Sequence, residues 1–391
     1  MSAHEMGARP ASGRAAVPGP SHSDAHISGR ASVPVSPPNA GGYGYGGSDG
    51  PPGGYDDHPP ALTAAPRRRR RAKVIVLSVL LVVALLVGGG LLYLRGLDNN
   101  MERDDFFAGV GDRPPAAAAG SLNILLLGSD SRDPDGSDGP YRADTIMVMH
   151  IPSSHDQAYL ISIPRDLWIY VPPNADGTRG GHEAKVNAST AWGGVPLMVQ
   201  TIEGYTGVRL DHVMMIDFGG FVEVTDALGG VEMDIEQTIT SIHHPNRTFE
   251  QGRQHLDGEE ALDYIRQRYQ FADGDFTRMR NQQQFLRALM DKATDTGTLA
   301  NPAKLNAFLQ TATSTLTVDE DFALVGTAHK FRHLRGHNLT FLTSPHAGTG
   351  WAGGQSVVFS DDEGAARLYQ AVREDRIAQW VVDNPDLVRD G

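Results

Sequence analysis

At 391 residues, with a formal net charge of −13 and no cysteine, the chain is poorly suited to general nucleic-acid binding. It can hold no disulfide, thiolate metal site or cysteine nucleophile. The length could accommodate two or three average domains. Residues 1–66, however, are rich in Gly, Pro, Ser and Ala, and cannot bury enough apolar surface to offset their ordering entropy. This predicts a disordered tail. A formal G-x-G-x-x-G at Gly42, Gly44 and Gly47 has no strand before it and no helix after it, so it is not read as a dinucleotide site.

A basic run over 67–73 precedes Val74–Leu94, which carries no charge. As a helix this stretch spans roughly 32 Å, enough for a hydrocarbon core of about 30 Å. Gly88, Gly89 and Gly90 would weaken a soluble helix but are tolerated in a membrane. The span is too long for a signal-peptide core. The basic run marks the cytoplasmic side and adds contact with anionic lipid. The expected arrangement is a single-pass protein with its N-terminus in the cytoplasm and residues from about 95 onward outside. No ATP is supplied there, so a transfer reaction must use an already activated substrate. Residues 95–120, ending in the Pro-Pro-Ala run from Pro114, read as a linker with a short helix near Met101.

The outer part opens with three apolar runs of strand length, Leu122–Leu127, Thr145–Ile151 and Tyr159–Ile163, each bounded by turn residues. Charges crowd their ends: Asp130 and Arg132, Arg142 and Asp144, then Arg165 and Asp166. So many charges against core strands are costly unless they meet each other, an ion or a ligand. A loop over 174–187, a helix over 189–204, a strand at 211–217, a helix over 218–228 and a strand at 231–235 follow. Asp257 with Glu260 forms a capping-box pattern before a helix over 258–265. Arg266 and Arg268 can serve one ligand only if that helix ends near Ile265, because residues two apart point the same way on extended chain and oppositely on a helix. A second helix opens with Asp275 as the expected N-cap, and Arg278, Gln282, Phe285 and Leu289 share one of its faces. An Arg in line with core residues suggests a buried anionic partner. Arg280 lies off that face. A helix at 302–316, a strand at 339–343, a Gly-rich loop at 347–354 and a last helix at 362–380 complete an α/β domain over 121–380, leaving a tail at 381–391.

Taken singly, Asp130 reads as a turn residue, Arg165–Asp166 as a surface pair, Asp275 as a cap, and Arg266 with Arg268 as a solvated helix end. Their joint occurrence points to a site. His243 and His244 lack metal-ligand spacing and read as loop residues. Met214, Met215, Phe218, Phe221, Trp192 and Leu197 could line a lipid tunnel or simply form core. The expected tunnel opens near Arg165 and is lined partly by residues 190–224.

The blocks NILLLGSDSR (123–132), RADT (142–145), ISIPRD (161–166), KVNA (185–188), DHVMMIDFGGF (211–221), DALGGVEMD (226–234), HLDGEEALDYIRQR (255–268) and GDFTRMRNQQQ (274–284) closely resemble, in order and spacing, the LytR–CpsA–Psr family. The resemblance covers about 121–295. It implies a three-layer α/β/α domain with a central, mostly mixed sheet, outside a bacterial plasma membrane. It implies a phosphotransferase that moves a glycopolymer from a polyprenyl-pyrophosphate carrier to the 6-hydroxyl of muramic acid in peptidoglycan, with Mg²⁺. On these positions Asp130 and Asp144 would hold the metal. Arg132, Arg142, Arg165, Arg266, Arg268, Arg278 and Gln282 would bind pyrophosphate, and Lys185 would bind the same charge or structure its loop. Arg165 would also act in catalysis, with Asp166 or Asp275 as general base. One departure stands out: the family pattern places Arg directly before the two Gln, whereas this chain has Asn281 there with Arg280 preceding it. One phosphate contact would then be lost or supplied differently. The competing readings are a noncatalytic polyprenyl-lipid-binding envelope sensor and a pyrophosphatase using water. No nucleic acid is an expected partner.

Overall fold

The computed structural model describes residues 67–129, 143–271 and 274–389. Asp130, Arg132 and Arg142 fall outside the described residues, as does the side chain of Asp275. The chain enters on α1 (Arg67–Asn100). Val76–Asn100 is long and apolar enough to cross a membrane, and Val76, Leu77, Leu80, Leu81 and Leu85 are 58–69% exposed. A continuous apolar surface of this kind needs lipid or protein to cover it.

The C-terminal end of α1 is part of the folded body. Leu97 is buried, Tyr93 Oη donates to Asn306 Oδ1 at 2.9 Å, and Asn100 Nδ2 donates to Gln310 Oε1 at 2.7 Å. Strand β1 (Glu102–Asp104) then joins a sheet edge, and Phe106 packs into the core. Residues 95–120 therefore differ from the expected linker: a strand and a core aromatic lie within them, and no separate helix forms at Met101.

Strands β2 (Leu122–Ser129), β3 (Ala143–Ile151) and β4 (Ala158–Ser162) follow the three apolar runs. Next come β5 (Leu167–Val171) and β6 (His182–Lys185), the latter inside the expected loop. Helix α2 (Ala188–Thr206) is kinked at Gly193 and Gly194 and resumes at Pro196, whose missing N–H suits a helix start. It stops where Gly207, at φ 62°, takes the left-handed conformation and donates to Glu203 O. After β7 (His212–Ile216), α3 (Phe218–Ala227) starts on an Asp217 cap that accepts from Gly220 N at 2.7 Å. Strand β8 (Val231–Ile235) pairs with β11 (Gly252–Leu256), and a small ribbon of β9 (Ile239–Thr240) and β10 (Thr248–Phe249) lies between them in sequence.

Helix α4 (Gly258–Arg266) carries the predicted capping box of Asp257 and Glu260. Helix α5 (Asp275–Thr294) has Gly274, not Asp275, at its cap position. The chain continues through α6 (Thr296–Leu299), α7 (Pro302–Ser314), β12 (Leu316–Asp319), α8 (Leu324–Phe331) and β13 (Leu339–Thr343). The Gly-rich segment is a hairpin of β14 (His346–Ala352) and β15 (Gln355–Ser360), not a loop. The expected last helix is two, α9 (Asp362–Arg373) and α10 (Ile377–Asp383), parted at Asp375, which adopts φ 54°. Asp tolerates that conformation, and its carboxylate accepts from Ser153 Oγ at 2.6 Å. Strand β16 (Val388–Arg389) ends the described chain.

Among the described residues, eight strands form the main sheet in the order β1-β12-β7-β2-β3-β4-β13-β16, with parallel and antiparallel pairs mixed. Side chains alternate across it. Leu125, Leu127, Ile146, Val148 and Val213 face α2. Tyr159 and Ile161 pack with residues of α9. Ile124, Met147 and Met149 face the opposite layer, with Leu286 and Met290 of α5 and Phe331 of α8. The result is a three-layer α/β/α body. A smaller sheet, in the order β14-β15-β5-β6, stands beside it.

Candidate active site

Between the main sheet and α3, α4, α5 and α7 lies a cavity of about 650 Å³. Leu126, Met147 and Met214 of the sheet, Phe221 of α3, Phe285 of α5 and Phe308 of α7 line its apolar part. Asp144, Arg165, Arg266, Arg268, Arg278 and Gln282 also line it, so sequence-distant segments bring their charges to one place. Arg165 is among the lining residues, and of the expected wall segment only the 214–224 part lines the cavity, not 190–204. Trp192 and Leu197 pack instead with Val171 and Ala184.

Each charged side chain is aimed by its local backbone. Arg165 follows β4 through Pro164, and its guanidinium pairs with the carboxylate of Asp144 at the start of β3. Its Nε lies 3.7 Å from Asp166 Oδ2, and Lys185 Nζ meets Asp166 Oδ1 at 2.9 Å. A line of alternating charge thus runs Asp144–Arg165–Asp166–Lys185. Asp166 and Lys185 are not among the cavity-lining residues; they stand next to Arg165, at the start of β5 and the end of β6.

Arg266 closes α4 and lies over the Phe218 ring at 4.4 Å; Arg268 lies over the Tyr269 ring at 4.5 Å. Gln267 between them is extended, at φ −66° and ψ 136°. Its side chain is fully buried and turned inward. Nε2 donates to Asp263 Oδ1 at 2.6 Å, and Oε1 accepts from Ile242 N at 3.1 Å and Gln270 Nε2 at 2.7 Å. The extended residue inverts direction at each step, so a middle side chain locked inward leaves its two neighbours facing out. The end of the helix at Arg266 meets the condition that the sequence set for a shared ligand. In α5, Arg278, Gln282, Phe285 and Leu289 all line the cavity, as the helical spacing required, and Arg278 is only 7% exposed. Arg280 points elsewhere, donating to Thr277 Oγ1 at 2.6 Å, with Glu236 3.8 Å away. Asn281 is buried outside the cavity lining, and its Nδ2 has no acceptor among the described residues.

The sequence reading missed His243. It lines the cavity on the loop after β9, where its amide donates to Ser241 Oγ at 3.0 Å. Ser241 in turn donates to the buried Asp263 at 2.7 Å. Burial pushes the His243 imidazole below its ordinary value, and the Arg266 charge adds to the effect. Nothing in its spacing signals this position; only the contact of two distant segments through Gln267 and Asp263 creates it.

Among the described residues, no group of three or more His, Asp or Glu could hold a metal ion. Mg²⁺ requires less, one or two carboxylates completed by phosphate oxygens and water. The Asp144 carboxylate at the mouth fits that role in kind. Arg266, Arg268 and Arg278 bring positive charge to the cavity that Arg165 also lines, and planar guanidinium forks match phosphate oxygens. The arrangement suits a ligand with a long apolar part and a highly anionic head.

The chain belongs to the LytR–CpsA–Psr family: the family model matches residues 98–374. It is 31% identical over 289 residues to the cell wall biosynthesis protein LcpA of Corynebacterium glutamicum, covering 65% of this chain and 56% of that protein. It is 29% identical over 230 residues to the polyisoprenyl-teichoic acid–peptidoglycan teichoic acid transferase TagU of Bacillus cereus, covering 59% of this chain and 71% of the relative. The chain thus spans little over half the length of LcpA. In fold it is similar to the crystal structure of B. subtilis TagV, with a TM-score of 0.56 at 23% identity, over 66% of this chain and 98% of that one. These relatives are named for cell wall biosynthesis and for teichoic acid transfer to peptidoglycan.

Proposed function

We propose that the protein is a membrane-anchored phosphotransferase that moves a glycopolymer from a polyprenyl-pyrophosphate carrier to the 6-hydroxyl of muramic acid in peptidoglycan. One observation carries the reading: an apolar cavity of about 650 Å³ shares its lining with Asp144, Arg165, Arg266, Arg268 and Arg278. The polyprenyl chain occupies the apolar part and the pyrophosphate meets the arginines. The acceptor oxygen forms a bond to the polymer-linked phosphorus. The bond from that phosphorus to the bridging oxygen breaks, and polyprenyl monophosphate leaves. The acceptor proton passes to a carboxylate, Asp166 or Asp275. Positioning and charge stabilisation supply most of the acceleration in such transfers. Arg165, Arg266, Arg268 and Arg278 neutralise the phosphates, with Gln282 beside them, and Lys185 holds Asp166 at the lip. Asp144 would hold Mg²⁺ together with Asp130, which would supply further neutralisation of the pyrophosphate. Arg132 and Arg142 are assigned to the same head group from the sequence alone. Helix α1 is the anchor, with its basic end in the cytoplasm.

The test is transfer of a labelled polyprenyl-pyrophosphate glycan to peptidoglycan with added Mg²⁺. Removing a donor that acts in the transition state costs roughly 10²–10³ in rate. Asp130→Ala and Arg165→Ala proteins should be folded and that deficient. If both turn over near the parental rate, a noncatalytic lipid binder replaces the enzyme. Release of free glycan phosphate with water as acceptor would make the protein a pyrophosphatase.

A further inference from the structure

The smaller sheet carries an aromatic face that the chemistry above does not use. In β5, Leu167, Ile169 and Val171 are buried, so Trp168 and Tyr170 share the other side, with Tyr170 56% exposed. Phe359 of β15 pairs with Trp168 and is 37% exposed. On the other flank Trp168 pairs with Lys185, and Tyr170 with Glu183. Three aromatic rings, a carboxylate and an ammonium therefore occupy one face.

Glycines in the hairpin make room for these rings. A Cβ on Gly350 would lie 2.5 Å from Phe359 Cε2, and one on Gly353 would lie 2.8 Å from Trp168 Cη2. The Phe359 and Trp168 rings thus lie against the hairpin glycines. Trp168 Nε1 also donates to Glu183 Oε2 at 3.1 Å, fixing its orientation. Single exposed apolar side chains are ordinary, but an ordered group of them marks a contact surface.

The face is continuous with the charged mouth at two points. Asp166 precedes Trp168 by two residues on the same strand direction, and Lys185 bridges to it at 2.9 Å. At the hairpin base, the His346 ring stacks on Phe276 of α5 at 4.4 Å, two residues before Arg278.

We infer that this face docks the polysaccharide acceptor, a glycan strand laid across Trp168, Tyr170 and Phe359 with a hydroxyl directed to Asp166. Pyranose rings offer apolar C–H faces to aromatic rings and hydroxyl edges to groups such as Glu183 and Lys185. Aromatic side chains with a polar neighbour suit such half-apolar partners. The donor's own glycan is a less suitable occupant, since its phosphate end is held on the cavity side of Arg165. This inference rests on the proposed transfer to a wall glycan.

The test measures retention of the full-length, detergent-solubilised protein on purified insoluble peptidoglycan, separately from its binding of a polyprenyl-pyrophosphate glycan. The double variant Tyr170→Ser/Phe359→Ser removes two exposed rings without touching the charged mouth. It should lose about tenfold in peptidoglycan retention, with donor binding and thermal unfolding unchanged. Trp351 is 76% exposed but alternates with Gly350, placing it on the opposite side. Trp351→Ser should therefore bind peptidoglycan like the parent. Unchanged retention in the double variant overturns the inference, as does equal loss in Trp351→Ser. Loss of donor binding alone reassigns the face to the donor glycan. A change in sedimentation state reassigns it to a second copy of the chain. Loss of donor binding by the parent protein would instead count against the transfer reading itself.

Discussion

The two faces of the main sheet are built from the same strands and have opposite interiors. Towards α2, branched side chains such as Leu125, Val148, Val199, Ile202 and Val213 fit together with no exposure. Towards α5 and α7, Met147, Met214 and several Phe surround a cavity of about 650 Å³. Stiff aliphatics make a solid layer. Unbranched, polarisable methionines can adapt to a guest of variable shape. The filled face holds the molecule together, and the hollow face is kept open for a ligand at the expense of packing.

The largest effect that should separate the faces is catalytic. Arg278→Ala, at the mouth of the hollow side, should lower transfer by roughly 10²–10³ while thermal unfolding stays within a few degrees of the parent. Arg280→Ala, two residues further along the helix and held by Thr277 and Glu236, should leave transfer near the parental level. Equal losses in both would mean that the helix face does not select the ligand contact. Stability should show the reverse contrast. Leu125→Ala opens a void in the filled layer and should cost about 2–5 kcal/mol in denaturant unfolding. Met214→Ala enlarges an existing space and should cost clearly less; a comparable loss would show that the hollow face is no softer than the filled one.

The smallest effect is on pH. His243 has its pKa lowered by burial and by Arg266. It therefore stays neutral in the folded chain below the pH at which the unfolded chain protonates, near 6.5. The unfolded state then binds more protons in that window, so acidification below about 6.5 removes a little stability. Once protonated, His243 adds a cation to the cavity, so donor affinity should rise modestly as the pH falls further. His243→Gln should flatten the acid limb of donor binding. A parental profile in that variant would show that another group titrates.

Much of this was legible from residues alone, for a physical reason: period and capping are local. The three strand runs, the capping box at Asp257, and the Arg278–Gln282–Phe285–Leu289 face all rest on spacings within one element. What could not be read depends on contact between distant segments. Strand β6 forms inside a polar, Gly-rich stretch because β5 offers it an edge. The 347–354 glycines resemble a loop until Trp168 and Phe359 are seen to need their missing side chains. His243 reaches the cavity only through a network that joins Ser241, Asp263 and Gln267. The residues after α1 looked like a linker because their apolar groups, such as Phe106, show no strand or helix period and become core only in three dimensions.

That last junction has a mechanical consequence. Helix α1 runs without a break from its basic end to Asn100 and is fastened by Tyr93 and Asn100 to α7, while Phe308 of α7 lines the cavity. In the proposed membrane arrangement the anchor acts as a keyed shaft rather than a tether, fixing both the height of the catalytic body and its compass bearing. Each residue added within the helix would raise the body by about 1.5 Å and turn it by about 100°. One inserted residue would swing the cavity mouth away from its original heading. Seven would return the heading to within about 20°, roughly 10 Å further from the lipid.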